Sequence, residues 1–120
     1  MPALKQKMLN YSVDNYDGTR VLELAGILCA GSVMDFERIV NKITDKENLI
    51  VNLEKVRMVT APGLYSLIDV SMTAKEKNKR VIILKAGNDV DFLSEILDNY
   101  SLFISVGSFE EGKLKIEYFI

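Results

Sequence analysis

Between residues 8 and 16, Leu9, Tyr11 and Val13 alternate with Asn10, Ser12 and Asp14, a period of two that predicts a strand with one buried face. Asp17-Gly18 supplies turn chemistry, and residues 19–26, carrying Val21, Leu22, Leu24 and Ala25, predict a second strand that returns antiparallel to the first as a hairpin. From Ser32 the period changes. Val33, Phe36, Ile39, Val40 and Ile43 recur every three or four residues, while Asp35, Glu37, Arg38, Lys42 and Asp45 take the other face, so an amphipathic helix is expected with Ser32 as its N-cap.

Residues 48–53 hold an almost unbroken apolar run, Leu49-Ile50-Val51 and Leu53, as a central strand covered on both faces requires. A second helix is expected to begin near Thr60, with Pro62 in its first turn, where an N–H has no intrahelical partner, and Leu64, Leu67, Ile68 and Met72 on its apolar side. It ends in the polar run Lys75-Glu76-Lys77-Asn78-Lys79-Arg80, read as a solvated helix end rather than a basic binding patch, with Asn78 suited to the left-handed C-terminal position. Val81-Ile82-Ile83-Leu84 predicts another buried strand. Gly87-Asn88 then opens a third helix with Leu93, Ile96, Leu97 and Tyr100 on one face, and residues 102–106 predict one more short strand. After Gly107-Ser108, residues 114–120 alternate Leu114, Ile116, Tyr118 and Ile120 with Lys115, Glu117 and Phe119, which reads as an additional C-terminal strand within 113–120. A hairpin followed by alternating helices and strands implies an α/β fold, a mixed sheet with helices packed on it.

Composition bounds the chemistry. The 120 residues, 48% hydrophobic, suit one domain spanning residues 1–120. With 15 Lys+Arg against 17 Asp+Glu the net charge is −2, which gives no electrostatic case for nucleic acid as the principal partner. The chain has no His, which removes a Ser-His-Asp triad, His-based acid/base catalysis and a His-bearing zinc site. Its one cysteine, Cys29, allows no internal disulfide and no Cys-x-x-Cys motif, and fits a reducing, cytoplasmic setting. Neither a signal peptide nor a membrane span is expected, and no metal or cofactor, since the glycine scaffolds of dinucleotide and P-loop sites are absent.

Few residues then remain as candidates for chemistry. Asp35 and Glu37, like Asp89 and Asp91, lie two apart near helix starts and read as dipole partners rather than a catalytic pair. Cys29, between Leu28 and Ala30, reads as a small buried hydrophobe rather than a reactive thiol. The segment Met58-Val59-Thr60-Ala61-Pro62-Gly63-Leu64 clusters small residues at a strand-to-helix transition. Its exposed N–H groups suit an anion, or Thr60 caps the helix and Gly63 lets the chain pack closely.

The order of elements, Asn48-Leu49-Ile50-Val51-Asn52-Leu53-Glu54-Lys55-Val56 followed by that segment, and Arg80-Val81-Ile82-Ile83-Leu84 after the helix resemble a STAS domain of the anti-sigma factor antagonist type, from Tyr11 to about Glu111. In that family the strand leads into Asp-Ser-Ser/Thr-Gly-Leu, whose first Ser is phosphorylated by a serine kinase so that the partner is released. Here Gly63 and Leu64 match, while Thr60 stands at the Asp position, Ala61 at the acceptor Ser and Pro62 at the second hydroxyl residue. Ala61 cannot accept phosphate, which leaves Thr60 as a displaced acceptor or a cap. The loop Ile27-Leu28-Cys29-Ala30 stands where the family often carries Leu-Asp, and many members end in a helix, whereas here Glu110-Glu111-Gly112 reads as interrupting one before the alternating segment.

The resemblance implies a non-enzymatic regulatory domain that binds an anti-sigma factor or serine kinase-like protein through Thr60, Ala61, Pro62, Gly63 and Leu64, with Leu28 and Cys29 in the neighbouring loop. It also implies that binding is constitutive and that Gly63→Arg abolishes it with the fold intact. The alternative is a STAS scaffold or small-ligand module, holding an anion at the helix start or forming a homodimer through the C-terminal segment.

Overall fold

The computed structural model describes residues 8–84 and 104–118. Strands β1 (Leu9–Tyr16) and β2 (Thr19–Leu28) form the expected antiparallel hairpin, with Tyr16 opposite Thr19. The two residues between them, Asp17 (φ 50) and Gly18 (φ 89), are both left-handed, as the tightest hairpin turn matching strand twist requires. Helix α1 (Val33–Thr44), strand β3 (Leu49–Val59), helix α2 (Ala61–Glu76) and strand β4 (Val81–Leu84) follow, then β5 (Ile104–Val106) and α3 (Phe109–Tyr118). The sheet order is β1-β2-β3-β4-β5, antiparallel at the hairpin and parallel thereafter, so the fold is a mixed α/β sheet with β3 at its centre. The helix expected over residues 89–100 lies outside the described residues, as do Asp89 and Asp91.

The continuous apolar runs are explained by a core on each face. Leu49, Val51 and Leu53 of β3 and Val81 and Ile83 of β4 turn to one face, where Phe36 and Val40 of α1 and Leu67, Val70 and Ala74 of α2 cover them. Ile50, Ile82 and Leu84 turn to the other, joined by Val21 and Val106 and covered by Phe109 and Ile116 of α3. Burying each such side chain contributes about 1.5–3 kcal/mol, which is why alternate residues on both faces must be apolar.

The expectation of a C-terminal strand within 113–120 is corrected: residues 109–118 are helical. Phe109, Gly112 and Ile116 fall on one helical stripe, and that stripe is what packs on the sheet. A Cβ at Gly112 would meet Ile50 Cδ1 at 3.0 Å and Val106 Cγ2 at 3.4 Å, so the residue read as a break is a point of close packing against the sheet. Leu114, the first apolar residue of the alternation, is exposed. With this segment helical, it offers no strand edge for a second copy of the chain.

The hairpin holds α3 from its other end. The Tyr16 ring stacks on Phe109 at 4.7 Å between centroids, its hydroxyl donates to Glu110 Oε1 at 3.1 Å, and Lys113 pairs with Asp17. Glu110's own backbone N–H at the helix start and then the Tyr16 hydroxyl hold its carboxyl below the ordinary value, and the same hydrogen bond pushes Tyr16 up. A carboxyl depressed in the folded state stabilises it above the unfolded value of about 4.3, and that contribution is lost as pH falls through the folded value. Tyr16→Phe is therefore expected to move the Glu110 titration part of the way back toward the ordinary value, read by NMR pH titration of its carboxyl carbon. An unchanged midpoint would mean that the hydroxyl is not the partner.

Candidate functional site

Strands β2 and β3 run parallel and end side by side, with Leu28 opposite Val59, so the β2–α1 loop and the β3–α2 junction meet at one end of the sheet. Loops at the carboxyl ends of parallel strands are where α/β folds place their sites. The Leu28 carbonyl organises this junction. It accepts the Thr60 backbone N–H at 3.0 Å and lies 3.4 Å from Thr60 Oγ1, which donates to it. The Thr60 hydroxyl therefore makes no cap bond to α2, although the residue occupies the N-cap position. The same carbonyl oxygen would lie 2.3 Å from a Cβ at Gly63. Gly63 is buried, and no side chain fits between helix and strand there. A Gly63→Arg change is therefore not a surface change, contrary to the sequence-based expectation.

Ser32 shows the same departure from its expected role. It stands at the N-cap position of α1, but its hydroxyl accepts the Cys29 N–H at 3.0 Å and donates to the Ile27 carbonyl at 2.9 Å, closing the β2–α1 loop instead of capping the helix. Cys29 is half-buried rather than buried, because it lies past the end of β2, where the thioether of Met8 approaches its Sγ at 3.5 Å. Leu28 is buried and contributes its carbonyl, and Leu64 is half-buried against the core. Of the expected site residues, Ala61 and Pro62 reach the surface fully.

Near these positions along the chain three large apolar side chains are exposed, of which Met34 and Tyr65 were not singled out in the sequence. Met34 is 82% exposed, Tyr65 65% and Met58 53%. The Ser66 hydroxyl donates to the Glu37 carboxylate at 2.6 Å, tying α2 to α1. Met34 stands one turn before Glu37 and Pro62 one turn before Ser66, so this bond sets the two helix starts level. Asp35 is held by Arg38 at 2.9 Å, and no paired carboxylates result. The signal available in the sequence was one of phase. Met34 falls off the apolar stripe of α1, and a large apolar residue on the solvent phase marks a surface that something else can cover; Tyr65 shares its phase with Ile68 and Met72 and gave no such signal. Among the described residues no group of three or more metal-ligating side chains comes together, and no helix is long and apolar enough to cross a membrane.

A family model described as the STAS domain matches residues 10–111. The chain belongs to the STAS domain family. Its STAS fold is similar to that of an anti-sigma factor antagonist from Mycobacterium paratuberculosis, with a TM-score of 0.76 and 14% identity over 91% of this chain and 94% of that one. It is similar to the anti-sigma factor antagonist SpoIIAA in its unphosphorylated form, at 0.68 and 14% over 92% of this chain and 100% of that one. It also matches part of the murine Slc26a9 anion transporter, at 0.69 and 12% over 91% of this chain but 22% of that one. At these identities the likeness is one of fold. No curated protein matches the sequence.

Proposed function

We propose that this STAS domain is a non-enzymatic regulatory module that docks on an anti-sigma factor or serine kinase-like protein through the lip formed by Met34, Met58, Ala61, Pro62 and Tyr65. The observation that carries this reading is the exposure of Ala61, Pro62 and Tyr65 on the first turns of α2, where the resemblance puts the acceptor position, with Met34 exposed at the start of α1 and Met58 near the end of β3. Aromatic and Met side chains of this kind are the usual anchors of protein interfaces, whereas no nucleophile, base and orienting group meet here. Ala61 at that position makes binding constitutive, governed by partner supply. The setting proposed is cytoplasmic. An anion held at the start of α2 is the weaker reading, because Pro62 brings no N–H and the Thr60 hydroxyl is turned to the Leu28 carbonyl.

Calorimetry against the kinase or anti-sigma factor encoded beside the gene tests the face. Tyr65→Ala is expected to weaken binding at least tenfold with an unchanged unfolding midpoint. Equal affinity would remove Tyr65, and with it this lip, from the interface. Incubation with the kinase and ATP is expected to leave the intact mass unchanged, and stoichiometric phosphate on Thr60 would overturn the constitutive reading.

A further inference from the structure

The opposite end of the sheet, where the parallel strands begin, carries a cleft of about 230 Å³. It draws on four separate stretches of chain: Thr19 and Arg20 at the start of β2, Lys46, Glu47 and Asn48 in the α1–β3 connection, Lys79 in the α2–β4 connection, and Ile116 of α3. Its lining holds three cations against one carboxylate, in a chain of net charge −2. Arg20 Nε is 3.0 Å from Glu47 Oε2, and that pair accounts for the carboxylate. Lys46 and Lys79 form no ion pair among the described residues.

The ordinary use for lysines here would be to neutralise the carbonyl ends of α1 and α2. That use is already filled. Lys77 Nζ reaches the Asn41 carbonyl and Thr44 Oγ1 at 3.1 Å each and Asp45 Oδ1 at 2.8 Å, while the Ile43 carbonyl takes the backbone N–H groups of Lys46 and Glu47. At the end of α2, the Ala74 carbonyl accepts the N–H groups of Lys77 and Lys79, and the Lys75 carbonyl that of Asn78. The ammonium groups of Lys46 and Lys79 have no acceptor among the described residues. Asn48 Oδ1 is also spent, on the Arg80 N–H at 2.8 Å, so its free group is the NH2 donor.

We propose that this cleft binds a small phosphate-bearing molecule, its dianion seated between Lys46 and Lys79 and accepting from the terminal nitrogens of Arg20, the Asn48 amide and the Thr19 hydroxyl. A lining rich in donors, with two positive charges that have no ion-pair partner among the described residues, matches a dianion better than a neutral or singly charged group. The volume lies below the roughly 300–1,000 Å³ of pockets for drug-sized ligands, which limits the occupant to a phosphate with at most a sugar-sized substituent. The site is remote from the start of α2 and independent of the partner reading, so each stands or falls alone.

Titration of the full chain by two-dimensional amide NMR tests it, with inorganic phosphate and ribose 5-phosphate as probes and ribose as the uncharged control. Saturable shifts at Thr19, Arg20, Lys46, Asn48 and Lys79 are expected with the two phosphates and none with ribose, the tighter probe telling free phosphate from an ester. Lys46→Ala/Lys79→Ala is expected to weaken binding at least tenfold, and Lys42→Ala/Lys75→Ala, which removes two exposed lysines elsewhere, to leave it unchanged. No saturable shift with either phosphate, shifts gathered at the start of α2, or equal losses in the two double variants would overturn the proposal.

Discussion

Replacing Gly63 by alanine is expected to cost about 3 kcal/mol of stability, at the upper end of what overpacking a tight site usually costs. The added Cβ would lie 2.3 Å from the Leu28 carbonyl oxygen and 2.9 Å from its carbon. These are backbone atoms. They are held by the pairing of Leu28 with Val59 and by the Thr60 N–H, so they cannot step aside as the end of a side chain would. Relief requires α2 to lift from the end of β2, which also carries Ala61, Pro62 and Tyr65 out of place. The sign is informative, because Gly→Ala in an unconstrained helix stabilises by up to about 1 kcal/mol. A urea midpoint for Gly63→Ala equal to or above that of the parent would show that helix and strand do not approach this closely.

That contact was out of reach of the sequence, although its glycine was not. Gly63 could be read as close packing, but the atom it packs on belongs to a residue 35 positions earlier, brought there only when β2 and β3 pair. The strands themselves were legible. Unbroken apolar runs at 49–51 and 81–84 announced strands covered on both faces, and the Asp17-Gly18 turn fixed the hairpin. β3 nevertheless continues to Val59, beyond the expected end at 53, because it goes on pairing with β2 through residues of mixed polarity. The tail misled for a physical reason: seven residues of alternation fit period two locally, while the deciding stripe of Phe109, Gly112 and Ile116 spans the supposed break. The hydroxyls misled in a related way. Ser32 and Thr60 stand where caps belong, yet each turns to a backbone carbonyl of the β2–α1 region, a choice set by strand pairing rather than by helix chemistry. Lys77 shows the converse. It was read with its own helix end, and it serves instead the end of α1, whose carbonyl and acidic side chain lie within reach once the helices pack.

Ala61→Asp is expected to separate binding from stability more sharply than any other single change. Ala61 is exposed in the first turn of α2, where a carboxylate meets the positive end of the helix dipole, so the variant should be as stable as the parent or more stable by about 0.3–1 kcal/mol. In the complex the same charge would lie under the partner among Met58, Pro62 and Tyr65, desolvated and without a cation of this chain assigned to it. An unpaired charge in such a place costs about 3 kcal/mol or more, which corresponds to roughly a hundredfold loss of affinity. Ala61→Ser makes the complementary case. It restores a hydroxyl without charge, so affinity should stay near that of the parent until kinase and ATP convert it to a phosphate carrying about −1.5 to −2 charges, after which binding should be lost. The pair of variants thus asks whether the present alanine holds the module in its binding state. Calorimetry of Ala61→Asp at parental affinity would place the partner elsewhere on the domain, and an Ala61→Ser protein that the kinase phosphorylates and still binds would show that charge at this position does not control docking.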